Sequence, residues 1–173
     1  QSRSSAASDV YKRQDLGWLA IPFSEELGGL DGGDVDLSLM FEEFGKSIVV
    51  EPYLANVVLS GGVLKRSDLE NKTEIIEQLI VGERQVSLAN YEPQKGFNLD
   101  SVECEISEDG NVSGLKTTVL NAPNADFFLV FGKHQAGHAF ALISKDAEGS
   151  KVTSYKTYDC LLYTSPSPRD LST

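Results

Sequence analysis

The stretch that decides the fold reads Ile75-Ile76-Glu77-Gln78-Leu79-Ile80-Val81-Gly82-Glu83-Arg84-Gln85-Val86-Ser87-Leu88-Ala89-Asn90. Its first half spaces apolar residues as one face of a helix does, and a glycine at a helix end favours termination there. Past Gly82 the apolar period falls from 3.6 to 2, which is typical of strands. The sequence therefore predicts an α+β protein, with helices before Gly82 and strands after it.

Two further helices are predicted before this one. From Val35 to about Val49 apolar residues recur at i, i+3, i+4 and i+7, namely Leu37, Met40, Phe41 and Phe44. Glu51-Pro52 interrupts this pattern, because the residue before a proline is driven out of helical geometry, and a second helix runs from there to Lys65. Ser67 with Glu70 matches a capping box and predicts the start of the third helix. Together they predict a small all-α domain over residues 15–82.

The β part is predicted as an antiparallel barrel or sandwich over residues 83–159. Val102, Cys104 and Ile106 alternate with polar residues, and Asp109-Gly110 supplies the turn that a tight hairpin needs. Phe127 to Phe131 is a continuous apolar run, which is typical of a strand buried on both faces. The full set of predicted strands is Gln85–Asn90, Val102–Ser107, Val112–Val119, Phe127–Phe131, His138–Ile143 and Val152–Tyr155.

The two ends of the chain differ in character from the middle. Residues 1–14 are serine-rich and basic, and residues 160–173 contain Ser165-Pro166-Ser167-Pro168, with no amphipathic period in either. Both resemble translated library adaptor sequence joined to an incomplete reading frame, and we expect them to be non-native tails. Ordinary disordered tails are the alternative that composition allows.

Composition excludes several classes of function. The chain of 173 residues carries 26 acidic against 15 basic side chains, a net charge of −11, and such a surface repels nucleic acid. No uninterrupted apolar run of about 18 residues is present, so we expect no membrane span and a cytoplasmic protein, or a matrix protein if eukaryotic. Outside the tails there is one thiol, Cys104, and no metal-ligand spacing is evident, so we expect no metal site. His134 and His138 flank a turn and are expected to be solvated.

Two segments carry the functional signal: Ala89-Asn90-Tyr91-Glu92-Pro93, and the run from Lys116 through Asn121-Ala122-Pro123 to Asp126. In place and spacing they resemble the segments that line the flavin in acyl-CoA dehydrogenases. The opening Leu16–Pro22, the Glu25–Leu30 segment and the helices follow that family's order as well. The resemblance implies FAD as cofactor, with the site residues Ala89, Asn90, Tyr91, Thr118, Val119 and Leu120.

Both segments depart from the family pattern. Tyr91 and Leu120 stand where threonines usually contact the flavin, so the hydroxyl of Tyr91 or the amide of Asn90 would have to substitute for the first, and the backbone N–H of Leu120 for the second. These variants are most similar to the small-subunit type associated with pimeloyl-CoA dehydrogenase.

The resemblance implies α,β-dehydrogenation of an acyl-CoA thioester by a homo- or hetero-oligomer. In the family the catalytic base is a glutamate of a C-terminal helical bundle, which would follow Asp159. We therefore assign no catalytic residue and expect the chain alone to be inactive. The alternative is a non-catalytic subunit or assembly module of a heteromeric acyl-CoA dehydrogenase with a degenerate flavin site.

Overall fold

The computed structural model describes residues 17–49, 51–95 and 98–154. The tails predicted over residues 1–14 and 160–173 lie outside these ranges. The chain divides between Arg84 and Gln85 into two compact units, which we call the helical unit and the β unit.

The three predicted helices are confirmed in the helical unit. Helix α1 spans Asp34–Ser47; α2 begins with π-type hydrogen bonding over Leu54–Ser60 and continues as the α-helix Gly61–Leu64; α3 spans Lys72–Ile80. Short 3₁₀ turns at Trp18–Ala20 and Glu25–Leu27 precede them. In the wide turn of α2 the Ser60 hydroxyl donates to the carbonyl of Ala55 at 2.7 Å, five residues back.

The capping box predicted at Ser67 is wrong. The Ser67 hydroxyl donates to the Leu64 carbonyl at 2.8 Å, and its oxygen accepts from Leu69 N at 3.4 Å. Because this side chain satisfies a carbonyl at the end of α2, it closes that helix and does not open the next one. Helix α3 begins later, at Lys72.

Phe23 is one of the fully buried residues of the apolar core of the helical unit, together with Leu64, Ile76 and Leu79. Glycine makes room for it, because a Cβ on Gly61 would lie 2.6 Å from Phe23 Cζ. Beside this core, aromatic rings meet at centroid distances of 5.4 to 5.9 Å; they belong to Trp18, Phe41, Phe44 and Tyr53.

The β unit is built around one long central strand. The strands are β1 (Val86–Ala89), β2 (Glu105–Ile106), β3 (Val112–Ser113), β4 (Phe127–His134) and β5 (Gly137–Ser144). Strand β5 pairs antiparallel with the whole of β4, whereas β1 pairs with Phe127 to Val130 in parallel and β2 meets β4 in parallel at Lys133.

The sheet is therefore mixed, which corrects the expectation of a purely antiparallel one. The long connection between β1 and β4 carries the chain back before β4 begins, so the two strands run in the same direction. The remaining pairs, β2 with β3 and β4 with β5, are antiparallel as expected.

Several predicted strands are shorter than expected, and one forms no strand over its described residues. Val102 to Ser107 pairs only over β2. Val112 to Val119 pairs only over β3, because Gly114 at φ 155° and Thr118 at φ 54° leave the extended conformation. Residues 152–154 form no strand, and Tyr155 lies outside the described residues. The predicted alternation is confirmed, since Val102, Cys104 and Ile106 are buried and the glutamates between them are exposed.

Candidate flavin-binding segments

The two segments singled out in the sequence are directly joined. The first segment, Ala89–Pro93, leaves the end of β1, and the second segment, Lys116–Asp126, leads into β4. The backbone N–H of Thr117 donates to the carbonyl of Tyr91 at 2.9 Å. The chain thus places side by side two stretches that are about 25 residues apart in sequence.

A buried ion pair connects the same segments one residue further out. The Lys116 ammonium donates to Glu92 Oε1 at 2.7 Å, and both residues are less than 10% exposed, at 8% and 7%. The backbone N–H of Cys104 also donates to Oε1, at 2.9 Å, and that of Glu103 donates to Oε2 at 2.7 Å. One carboxylate therefore links the first segment, the second segment and the stretch before β2.

These bonds determine the ionisation of Glu92. Burial alone would raise its pKa, but the hydrogen bonds from Lys116, Cys104 and Glu103 outweigh burial and hold the pKa below its usual range. With both oxygens engaged and the charge stabilised, Glu92 acts as a structural anion near neutral pH. It is poorly suited to exchange protons with a substrate.

The other end of the second segment is tied to the start of β1 through Gln85. Gln85 N donates to Asp126 Oδ2 at 2.8 Å, and Asp126 N donates back to the Gln85 carbonyl at 2.8 Å. The Asn121 side-chain amide donates to Gln85 Oε1 at 2.6 Å. The second segment is therefore bound to Tyr91 and Glu92 near its start and to Gln85 near its end.

The six predicted site residues differ in what they expose. Ala89 and Val119 are buried and belong to one apolar cluster with Phe128 and Val130. Their side chains are committed to the core, so any contact with a ligand would come from their backbone. Thr118 is exposed, and the side chains left partly exposed are those of Asn90, Tyr91 and Leu120.

The hydrogen-bond donors on the two segments are of the chemical types that a flavin ring requires. An isoalloxazine needs an apolar wall and hydrogen-bond donors for its carbonyl oxygens and N5. The carboxamide of Asn90, the phenol of Tyr91 and the hydroxyl of Thr118 are donors that stand partly or fully exposed on the two joined segments. The residues present therefore fit the cofactor that the resemblance implies.

The sequence reasoning missed the ion pair and the role of Gln85. Glu92 and Lys116 were recognised as parts of the segments, but no contact between them was predicted. The available signal was a pair of opposite charges, Glu92 and Lys116, each at one end of a segment expected to line the same ligand. Gln85 gave no comparable signal.

A cavity of about 530 Å³ opens on the core face of the β unit, and both segments contribute to its wall. Its lining includes Ala89, Cys104, Lys116, Val119, Phe128 and Val130. Over the ranges that the structure describes, no group of three or more His, Cys, Asp or Glu side chains is placed to hold a metal ion. In the same ranges no helix has the length and apolar character needed to cross a bilayer.

Comparison with known proteins identifies relatives along nearly the whole chain. No family model matches it. L-prolyl-[peptidyl-carrier protein] dehydrogenase of a Serratia species is 29% identical over 176 residues, which cover 92% of this chain and 45% of that protein. Benzylmalonyl-CoA dehydrogenase of Aromatoleum aromaticum is 26% identical over 154 residues, covering 80% and 39%. The chain thus spans less than half the length of the curated relatives it matches.

Solved structures show the same architecture. The ChsE4-ChsE5 complex of Mycobacterium tuberculosis superposes with a TM-score of 0.77 at 26% identity, covering 91% of this chain and 43% of that one. An acyl-CoA dehydrogenase of Geobacillus kaustophilus gives 0.74 at 21% identity, covering 91% and 46%. A glutaryl-CoA dehydrogenase of Mycobacterium smegmatis, solved with FADH2, gives 0.75 at 22% identity, covering 90% and 42%.

The fold matches that of solved acyl-CoA dehydrogenases, and the predicted α+β class is confirmed. Sequence and fold together relate the chain to the acyl-CoA dehydrogenases, as the two segments predicted.

Proposed function

We propose that this chain forms one wall of the flavin site in an FAD-dependent dehydrogenase that carries out α,β-dehydrogenation of an acyl-CoA thioester. The observation that carries the proposal is the joining of the two segments by the Thr117–Tyr91 backbone bond and the Glu92–Lys116 ion pair. The glutaryl-CoA dehydrogenase of similar fold that was solved with FADH2 supports the choice of cofactor.

The proposed roles follow from what each residue exposes. Asn90, Tyr91 and Thr118 donate hydrogen bonds to the ring, and Leu120 contributes its backbone N–H. Ala89 and Val119 support the ring from behind through the apolar cluster they share. FAD, when bound, supplies the hydride acceptor, and the protein supplies orientation. Because the chain is acidic, the diphosphate of FAD would depend on backbone donors.

The substrate class is an acyl thioester. Among the relatives, one is named for a CoA thioester and another for a prolyl group on a peptidyl-carrier protein. We propose CoA as the carrier, with a carrier-protein thioester as the comparison in the assay.

We assign the proton acceptor to no residue of this chain. Glu92, the buried carboxylate of the site, is fully engaged by Lys116 and two backbone amides. The chain alone is therefore proposed to bind flavin and to be inactive, with the base supplied by a longer chain or a partner subunit.

A non-catalytic subunit of a heteromeric dehydrogenase is the second candidate. The observation that favours it is the replacement of two flavin-contacting threonines by Tyr91 and Leu120. In that case the chain recruits a larger homologue without holding FAD itself.

Flavin binding by the purified chain tests the proposal. We expect FAD to be retained, with a perturbed visible absorption band, and Tyr91→Phe to weaken it. Tyr53→Phe is the matched control, because it removes a phenol from the helical unit, where the hydroxyl donates to the Trp18 carbonyl at 3.0 Å. A colourless chain that still binds a larger homologue would support the second candidate.

A dye-reduction assay tests the absence of a base. Acyl-CoAs of several chain lengths and one acyl-carrier-protein thioester are supplied to the flavin-loaded chain. We expect no turnover, and turnover with any of them would contradict the placement of the base outside this chain.

A further inference from the structure

The Glu92 carboxylate is the point at which three separate stretches of the β unit meet. Its oxygens accept from Lys116 on the second segment and from the adjacent amides of Glu103 and Cys104, all at 2.7 to 2.9 Å. We propose that Glu92 is a positioning residue of the flavin site: it touches no cofactor, but it fixes the spacing between the residues that do. This inference rests on the proposed function.

The ion pair lies next to the proposed flavin-binding residues in the sequence, so its position affects theirs. Glu92 follows Tyr91 directly, and Lys116 precedes Thr117 directly, so the pair lies next to the Thr117–Tyr91 backbone bond. Pro93 restricts the backbone of Glu92 to extended geometry. A shift of either charged side chain therefore moves Tyr91 or Thr118, both of which carry proposed donors to the ring.

Positioning explains the buried charges better than stability does. Replacing a buried ion pair by apolar side chains of similar volume is often neutral or stabilising, because two charges must be removed from water. An apolar contact, however, is non-directional, whereas three short bonds to one carboxylate leave little freedom to the segments that make them. The pair thus gives geometric definition that apolar packing would not.

The test compares Glu92→Gln with Glu105→Gln in the whole chain. Glu105→Gln is the matched control, because it removes one carboxylate from an exposed side chain on the neighbouring β2. Three quantities are measured: the dissociation constant for FAD, the shape of the bound flavin's visible band, and the hydrogen-exchange rate of the Thr117 amide. For Glu92→Gln we expect FAD affinity to fall on the order of 10- to 100-fold, by analogy with the loss of metal affinity when the partner that orients a metal ligand is removed.

The double variant Glu92→Gln/Lys116→Met separates positioning from stability. Glu92→Gln alone removes the negative charge that faces the buried Lys116 and is destabilising, whereas the double variant removes both charges. We expect the double variant to regain most of the unfolding free energy while FAD affinity stays low, the flavin band stays altered and Thr117 exchange stays fast. This second variant also keeps the test valid if Glu92→Gln fails to fold.

The outcomes are distinct. Recovery of FAD affinity and band shape together with stability in the double variant would show a purely structural role and overturn the inference. So would a Glu92→Gln chain that binds FAD as the wild type does. A wild-type chain that takes up no FAD would instead overturn the proposed function, and the inference with it.

Discussion

The helical unit and the β unit hold their irregular segments in different ways. In the helical unit the loop around Phe23 is held by a buried ring packed against glycine and by backbone hydrogen bonds, such as that from Asp31 N to the Phe23 carbonyl at 2.8 Å, but by no buried ion pair among the described residues. In the β unit the two proposed flavin segments are held by Glu92, Lys116 and Gln85 through short polar bonds. Apolar packing fixes volume, whereas directed bonds to buried charges fix the positions of individual atoms. The directed bonds thus lie in the two segments that are proposed to hold the planar flavin ring.

The largest expected effect tests the apolar half of this comparison. Phe23→Ala should lower the unfolding free energy by about 3 to 5 kcal/mol, because it leaves a cavity in a closely packed core. Val35→Ala, at a side chain that is 73% exposed, should change it by no more than about 0.5 kcal/mol. Urea unfolding followed by the fluorescence of Trp18, the single tryptophan of the chain, measures both. Equal effects of the two substitutions would break the comparison.

A smaller effect is expected in the β unit, at a glycine next to the Glu92 network. Gly114 has φ 155°, and a Cβ there would lie 2.8 Å from Cys104 Cα, so Gly114→Ala should cost about 3 kcal/mol from strain and overlap. Gly110→Ala is the control, because Gly110 also has positive φ but has nothing within 4 Å of a Cβ; about 1 kcal/mol is expected. Thermal unfolding of the two variants gives the difference. If Gly110→Ala costs as much, the close approach to Cys104 is unimportant.

Titration should weaken the two units at opposite ends of the pH scale. Burial raises the pKa of Tyr53 to about 12 from 10.0, so its contribution is complete below pH 10 and is lost as pH rises toward 12, by about 1 kcal/mol near pH 11. Glu92 has a lowered pKa, so its contribution is present above the usual value of 4.5 and is lost as pH falls below it. Unfolding at several pH values, with Tyr53→Phe and Glu92→Gln as references, measures each. An alkaline loss that persists unchanged in Tyr53→Phe would contradict the assignment to that phenol.

The smallest effect separates exposed from buried ion pairs. Lys46 lies 3.0 Å from Glu42 and 2.7 Å from Glu43, with side chains about 60% exposed. Because water screens such pairs and holding the side chains costs entropy, Lys46→Met should leave the urea midpoint unchanged. Lys116→Met should shift it clearly, since it removes the positive charge that faces the buried Glu92 carboxylate. Similar shifts for the two lysines would remove the distinction on which the comparison depends.

Much of the fold could be predicted from the sequence because apolar periodicity records burial along one element. The helices over Leu37 to Phe44 and Ile75 to Ile80, and the alternation at Val102, Cys104 and Ile106, were predicted in this way and are confirmed, although the apolar face of the first helix is only partly buried. Pairing direction is not a property of one element, so the parallel pairing of β1 with β4 was missed. The end of β3 was missed for a different reason: Gly114, directly after Ser113, takes φ 155°, and Thr118 further on takes positive φ without being a glycine.

The same distinction between local patterns and long-range contacts applies to the candidate site. The two segments were found from their resemblance to a family, and the relatives confirm that resemblance. The contacts that hold them, Glu92 with Lys116 and Gln85 with Asn121, join residues 24 and 36 positions apart, and no local pattern encodes such a pairing. The flavin-contacting roles of Asn90, Tyr91, Thr118 and Leu120 remain predictions.

Cys104 gives the β unit a chemical reporter of its own opening. Its thiol is buried, and burial raises its pKa; Lys116 opposes this shift, whereas the charges of Glu92 and Glu105 add to it. The thiolate that alkylating reagents attack is therefore scarce while the unit is closed. Because the amide of Cys104 donates to Glu92, a motion of the Cys104 backbone that uncovers this sulfur also disturbs the bonds that hold the flavin segments. The rate at which Cys104 is alkylated thus reports how often the bonds to Glu92 break.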